Sequence, residues 1–171
     1  NIASSVKTLM GSVAVAGTLS VAGSCKLSIG SNTLTLEGAV SGMATTRTFT
    51  GSSSSNIIIT GAFDRSLYFD ATALGTTNVL NNFTLNHSGR ISTLGNDLVI
   101  NNSLNLTAGK LSIAARTLTI KGDIVNTVSQ GIRGGSTSKL IFNCTVSPSL
   151  SMDQTTPGTT NVLSTLQINN S

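Results

Sequence analysis

The sequence predicts an all-β fold, a right-handed parallel β-solenoid of about eight turns. Three observations favour this class: a hexapeptide that occurs twice, short segments in which apolar and polar residues alternate, and no stretch with the apolar spacing of an amphipathic helix. A β-sandwich built from short strands is the alternative fold. The sandwich does not by itself account for the long internal repeat.

The repeat is the first element of this prediction. Gly75-Thr-Thr-Asn-Val-Leu80 returns unchanged as Gly158-Thr-Thr-Asn-Val-Leu163, 83 residues later in a chain of 171. Three further segments match at offsets of 83 or 84: Lys26–Ile29 with Lys110–Ile113, Thr33–Leu36 with Thr117–Ile120, and Asn56–Ile59 with Lys139–Phe142. We therefore expect a single domain made of two repeats, residues 1–85 and 86–171, cut from a longer array.

The strands are the second element. Pairs of apolar residues separated by one polar residue recur throughout, for example Leu34/Leu36 and Leu118/Ile120, with Gly or Asn between the segments. Side chains alternate between the two faces of a strand, so each pair marks one buried face. The segments begin about 6–8 residues apart. Three of them make a turn of about 21 residues, and four turns make one repeat.

Composition limits the function classes. Charged residues are 9% of the chain, aromatic residues are 4%, and the net charge of +4 comes from scattered Lys and Arg. No basic run with interleaved aromatic residues is present, so nucleic-acid binding is not expected. No apolar run is long enough to span a membrane. This composition is common in secreted bacterial β-proteins, and we expect an extracellular or cell-surface location.

The reactive side chains do not form a recognisable catalytic pattern. Asp64 and Asp70 are the only close pair of acidic residues, and His87, the single histidine, is expected at a surface strand end. We therefore expect no enzyme activity, cofactor or metal. Cys25 and Cys144 occupy inward positions on the alternation rule, which predicts two buried free thiols.

Two segments interrupt the alternation, residues 42–55 and 126–138. They occupy the same place in each repeat and are expected to form loops on one side of the rod, where solenoids often bind ligands. The candidate ligand contacts in these loops are Thr45, Thr46, Arg47, Ser52, Ser53, Gln130, Arg133 and Gly134. The expected partners are neighbouring repeats or further copies joined end to end, and a cell-surface polysaccharide.

The segment Asp97–Ile113, followed by Thr117-Leu-Thr-Ile-Lys-Gly122, resembles repeats in large secreted surface proteins of Bacteroidetes that the type IX system exports. The resemblance implies an extracellular structural or adhesive protein, a stiff rod or filament segment for surface attachment or cell-surface architecture. The alternative is a carbohydrate-binding or carbohydrate-active β-helix. A minor alternative, an ice-binding solenoid, is suggested by Thr33/Thr35 and Thr117/Thr119.

Overall fold

The chain forms an all-β solenoid in the computed structural model, which describes residues 5–41, 48–126 and 131–169. This part of the chain contains sixteen strands and no helix, and all its strand pairs are parallel. The predicted solenoid is confirmed. A sandwich would require antiparallel sheets. The chain winds around three sides, which we name A, B and C in the order of the chain.

Each of the first three turns has one short strand on each side. Turn 1 contains β1 (Val6–Thr8), β2 (Val13–Val15) and β3 (Leu19–Ser20); turn 2 contains β4 (Lys26–Ser28), β5 (Thr33–Leu36) and β6 (Val40–Ser41); turn 3 contains β7 (Phe49–Thr50), β8 (Asn56–Ile59) and β9 (Arg65–Leu67). Short strands suit this geometry because each side of the coil is only a few residues wide.

Turns 4 and 5 each contain one long strand that bends around the corners, and turn 6 again contains short strands. Turn 4 is β10 (Val79–Leu94), turn 5 is β11 (Leu98–Ser112), and turn 6 contains β12 (Thr117–Ile120), β13 (Asp123–Asn126) and β14 (Ile132–Arg133). An incomplete seventh turn holds β15 (Gly135–Asn143), and β16 (Leu163–Asn169) pairs with it on side A.

Within the described residues six turns are complete, fewer than the eight expected. The separation between paired residues on side B varies from 20 (Leu104 with Ile124) to 26 (Ile57 with Phe83). The prediction assumed a constant turn of about 21 residues. Two loops, described below, add residues without adding a strand.

The core is a set of apolar columns that run along the rod. On side B the inward residues of five successive turns lie in register: Leu34, Ile57, Phe83, Leu104 and Ile124. All five are buried. Full burial of such a side chain stabilises the fold by about 1.5–3 kcal/mol. The columns therefore tie each turn to the next through packing as well as through backbone hydrogen bonds.

The apolar core reaches the surface at both described ends of the rod. Val13 and Met10 in turn 1 are 38% and 94% exposed, and Leu166 and Ile168 of β16 are 50% and 73% exposed. These residues occupy inward or corner positions of turns that have a described neighbour on one side only. They leave two apolar end faces.

The repeat advances by three and two-thirds turns, not by the four turns that were expected. Lys26–Ser28 lies on side A of turn 2, whereas its match, Lys110–Ser112, lies on side C of turn 5. Thr33–Leu36 lies on side B and its match, Thr117–Ile120, lies on side A. Matched segments therefore lie on adjacent sides. The prediction that they recur on one side of the rod is wrong, because one position per repeat holds a loop.

Two individual predictions also need correction. Cys144 is buried as expected, but Cys25 is exposed; both are free thiols. The strand starts at Lys26, so the alternation does not extend to position 25. His87, expected at the surface, is 1% exposed because it turns into the core at the corner between sides B and C. In the described part of the chain no helix has the length and apolar character to cross a membrane.

Candidate functional site: a groove on side C and two lysine clips

An open groove of about 640 Å³ lies on the outer surface of side C. It extends from Ser41 in turn 2 to Arg133 in turn 6, and crosses β9, β10 and β11 between them. Four strand spacings of about 4.8 Å make this groove about 19 Å long. It is therefore long and shallow, with one polar position contributed by each turn.

The floor of the groove is a column of hydroxyl side chains in register. Ser66 of turn 3 pairs with Thr93 of turn 4, which pairs with Ser112 of turn 5, and Ser112 pairs with Arg133 of turn 6. The residues beside them in each strand point into the core. The alternation of the strands thus places one hydroxyl per turn on the outer face.

Tyr68 forms one wall of the groove, at the corner where side C leads into side A. Its ring is half-buried and lies directly against the backbone of Gly95 in the next turn. A Cβ atom added to Gly95 would come within 2.3 Å of Tyr68 Cδ1. The absence of a side chain at position 95 therefore provides the space in which the ring lies.

Asp64 and Arg133 give the groove its accessible charges, whereas Arg65 lies beneath it at an inward position in register with the buried Ser92. Arg65 is 5% exposed, and its guanidinium donates hydrogen bonds to the carbonyl oxygens of Leu36 (3.1 Å) and Gly61 (3.3 Å). Its Nε atom is buried and has no hydrogen-bond partner among the described residues. Burial lowers the pKa of Arg65 although the charge of Asp64 opposes this. Arg133 is half-buried at the far end of the groove.

Asp64 is exposed, and its Oδ1 accepts a hydrogen bond from the amide of Ile91 at 2.8 Å. The carboxylate thus joins turn 3 to turn 4 at the groove edge. Asp70, which is close to Asp64 in sequence, lies on side A and takes part in a different contact. The two carboxylates do not form a catalytic pair.

His87 and Ser92 lie beneath the groove rather than in it. The distance from Ser92 Oγ to His87 Nε2 is 3.5 Å, but Ser92 is fully buried and His87 nearly so. Burial lowers the pKa of His87, the positive charge of Arg65 lowers it further, and Asp64 and the backbone of Phe63 act in the opposite direction. A neutral, enclosed imidazole beside an inaccessible hydroxyl is a core contact and not a nucleophilic site.

The repeated hexapeptide belongs to a loop that a lysine holds in place. In the first loop, residues 70–78, Asp70 Oδ1 accepts hydrogen bonds from the amide (3.1 Å) and hydroxyl (2.7 Å) of Thr72. Asp70 Oδ2 lies 2.5 Å from Nζ of Lys26, two turns below. Gly75 has φ of +78° and donates its amide to Asn78 Oδ1 at 2.6 Å. Glycine adopts this left-handed conformation without steric cost.

The second loop, residues 153–161, repeats these contacts. Asp153 Oδ1 accepts hydrogen bonds from the amide (3.0 Å) and hydroxyl (2.7 Å) of Thr155, and lies 2.6 Å from Nζ of Lys110. Gly158 has φ of +82° and donates to Asn161 Oδ1 at 2.7 Å. Each Lys–Asp pair spans three turns, from 2 to 4 and from 5 to 7. We call the two pairs the lysine clips.

The clips shift the ionisation of both carboxyl groups in the same direction. Burial raises the pKa of Asp70, but the hydrogen bonds from Lys26 and Thr72 and the charge of Lys26 outweigh it, so the pKa lies below its ordinary value. The same balance, with Lys110 and Thr155, lowers the pKa of Asp153. Both aspartates are therefore ionised and paired at neutral pH.

The candidate contacts expected from sequence are scattered. Thr45, Thr46, Arg47 and Gln130 lie outside the described residues. Ser52 donates a hydrogen bond to the carbonyl of Gly30 at 3.1 Å, Ser53 is exposed in the same turn, and Gly134 is buried. Arg133 alone among the described candidates lies in the groove.

Of the expected loop at 126–138, residues 127–130 lie outside the described part of the chain, and most of the others are strand, since β14 and β15 cover 132–133 and 135–143. The loop prediction was wrong for these described residues because their Gly and Ser side chains are accommodated within the sheet. Residues 42–47 of the other expected loop also lie outside the described part, which forms long loops at 70–78 and 153–161.

Sequence reasoning missed Ser66, Tyr68, Thr93 and Ser112, the main residues of the groove. Their register could be read only with the correct turn lengths. The lysine clips were also missed, although the conserved spacing within each repeat was a usable signal: Lys26 and Lys110 precede the aspartates by 44 and 43 residues.

A metal site and an ice-binding threonine ladder find no support in the described residues. No group of three or more His, Cys, Asp or Glu side chains is placed to hold a metal ion there. The paired threonines do not form a ladder, since the register neighbours of Thr35 are Ala14 and Ile58, and those of Thr119 are Val99 and Ile141. Comparisons of the chain with models of protein families, with curated proteins and with solved structures find no match.

Proposed function

We propose that this chain is a stiff rod segment of an extracellular structural or adhesive protein, which serves surface attachment or cell-surface architecture. The observation that carries the proposal is the uninterrupted stack of parallel turns around one aliphatic core. Every turn is joined to its neighbours by backbone hydrogen bonds and side-chain columns. Such a coil resists bending and holds its outer faces at fixed distances.

The lysine clips support a mechanical role. Each clip joins turns that are not direct neighbours, by an ion pair whose carboxylate is 5% exposed in the first clip and fully buried in the second. Together with Thr72 and Thr155 they fix two of the long loops of the described rod. A protein that serves as a spacer benefits from such ties because they oppose local separation of turns.

The two apolar end faces support end-to-end contact with neighbouring repeats or further copies. Leu166 and Ile168 at one end and Val13 at the other present apolar side chains beside unpaired strand edges of the described rod. Exposed edges of this kind pair readily with another strand. Head-to-tail contact between different faces produces an open filament when the rotation from one copy to the next does not close a ring.

The alternative of a carbohydrate-active enzyme receives less support than carbohydrate binding. Glycoside hydrolysis ordinarily needs two carboxylates on either side of the scissile bond. Of the described residues that line the groove, only Asp64 carries a carboxylate, and it accepts the Ile91 amide. The groove offers hydroxyls, an aromatic ring and the guanidinium of Arg133, which suit binding.

Localisation tests the proposal. Antibodies raised against the purified chain should label the outer surface of intact cells that produce the protein, as seen by immunogold electron microscopy. Label that appears only after the cells are permeabilised would contradict an extracellular role. An antibody against a cytoplasmic protein of the same cells is the control for membrane integrity.

A further inference from the structure

We propose that the groove on side C binds an extended acidic polysaccharide, laid along the rod axis. This inference deepens the proposed surface role and rests on it for its biological context. The binding chemistry depends on the groove alone. Four features carry it: the hydroxyl column, the ring of Tyr68, the guanidinium group of Arg133, and the open length of the groove.

The hydroxyl column provides a repeating set of hydrogen-bonding positions. Ser66, Thr93 and Ser112 lie in register on consecutive turns, at a spacing of about 4.8 Å. This spacing is comparable with the length of one sugar unit in an extended polysaccharide. A hydroxyl both donates and accepts, as do the hydroxyls of a sugar. Each turn of the rod can therefore hydrogen-bond to one sugar unit.

Tyr68 gives the groove an apolar wall. The ring packs against Gly95 and is half-buried, so it is held in place while part of it faces the groove. Aromatic side chains combine a large apolar surface with a polar tip and act where one side of a ligand is apolar and the other hydrated. The C–H face of a pyranose ring meets this description.

The charges favour an acidic ligand over a neutral one. Arg133 borders the groove at an outward position in register with Ser112, and Asp64, the opposing charge, lies three turns away and accepts an amide hydrogen bond. A planar guanidinium matches the geometry of a carboxylate. A polymer of uronic acid carries one carboxylate on each sugar and fits this arrangement.

A titration with two oligosaccharides of equal length tests the site. Isothermal calorimetry of the full chain should show saturable binding of hexagalacturonate, and binding of neutral cellohexaose should be at least about tenfold weaker, which corresponds to about 1.4 kcal/mol. Tyr68→Ala should weaken hexagalacturonate binding by at least about tenfold. Arg133→Gln should remove the preference for the acidic ligand. Circular dichroism should show that both variants remain folded.

Matched control variants distinguish binding in this groove from nonspecific electrostatic attraction to the rod. Arg116 is exposed and lies outside the groove, so Arg116→Gln removes the same charge and should leave the affinity unchanged. Tyr68→Phe keeps the ring and should retain most of the binding.

Three results would overturn the proposal: no saturable binding of hexagalacturonate, cellohexaose binding of equal strength, or equal losses in Arg116→Gln and Arg133→Gln. None of these would affect the surface labelling, so failure of the groove and failure of the rod role are distinguishable.

Discussion

The two loops at 70–78 and 153–161 have the same shape, but the following turn buries the first more than the second. Both contain the Asp–Thr contacts, the left-handed glycine and the glycine–asparagine hydrogen bond. In the first loop, Asn78 is buried and donates to the carbonyl of Asp97 in the next turn at 2.9 Å. In the second, Asn161 is half-buried and donates to Gln154 of its own loop at 3.0 Å.

This difference in burial shows that the loop's own residues determine its shape, whereas the next turn of the rod determines how far it is buried. The hydrogen bonds inside each loop depend on residues no more than eight positions apart, so the loop takes the same shape wherever it occurs. Burial of its final residues requires a following turn. The first loop has turn 5 above it, whereas the second lies in the incomplete seventh turn. We therefore expect equal shapes with unequal contributions to stability.

The largest expected effect concerns the last residue of the hexapeptide. Leu80 is fully buried, whereas the equivalent Leu163 is only partly buried. Leu80→Ala should destabilise the chain by about 3–4 kcal/mol because it leaves a cavity in the core. Leu163→Ala should cost about 1–2 kcal/mol, since less apolar surface is lost. Urea unfolding followed by circular dichroism measures both. Equal losses of unfolding free energy in the two variants would contradict the difference in burial between the two loops.

The lysine clips should contribute similarly in both loops, because each pairs a lysine with a nearly or fully buried aspartate at 2.5 or 2.6 Å. Lys26→Met and Lys110→Met should each destabilise the chain by about 2–3 kcal/mol, since a buried carboxylate loses its partner. Methionine retains most of the apolar stem, so the loss reports the charge. Lys139→Met, at an exposed position, is the control and should change little. No loss in either clip variant by urea unfolding would show that the ion pairs do not hold the loops.

Substitution of Asn78 and of Asn161 should give a smaller difference in stability between the two loops. Asn78→Ala removes two hydrogen bonds at a buried position and should cost about 1–2 kcal/mol. Asn161→Ala should cost about half as much, because its Gln154 partner is exposed and can bond to water instead. The two midpoints of urea unfolding provide the measurement. A larger loss for Asn161→Ala is the contrary result.

A pH dependence should follow from the same aspartates. Their pKa values are lower in the folded chain than the ordinary value of about 3.9, so the unfolded chain binds more protons in acid. The stability that the clips provide is complete above about pH 4 and is lost as the pH falls through the folded values. Urea midpoints between pH 7 and pH 2 should fall less steeply for Asp70→Asn than for the parent chain. Identical slopes would show that Asp70 is not a source of the acid sensitivity.

The sequence predicted the class of fold well because strand alternation is a local property. Leu34/Leu36 and Leu118/Ile120 alternate as expected, and all four are buried. Turn lengths were not predictable in the same way. The loop at 70–78 looks like ordinary turn sequence, yet it displaces every later strand by one side of the rod and so changes which residues share a face.

The residues of the groove could not be predicted from local sequence for the same reason. Ser66, Thr93 and Ser112 are ordinary outward residues in the sequence, at separations of 27 and 19. Only the register of β9, β10 and β11 brings them into one column. Arg133 was identified because it lies next to glycines, but the loop expected around it is strand. The lysine clips join residues more than 40 positions apart, a distance that local patterns do not cover.

Hydrogen exchange tests the central claim most directly, that local residues shape the loops while neighbouring turns stabilise them. Mass spectrometry should compare the matched segments 77–82 and 160–165 under native conditions. We expect segment 77–82 to exchange only with global unfolding and segment 160–165 to exchange sooner, through local opening of the last turn. Equal protection of the two segments would contradict the claim.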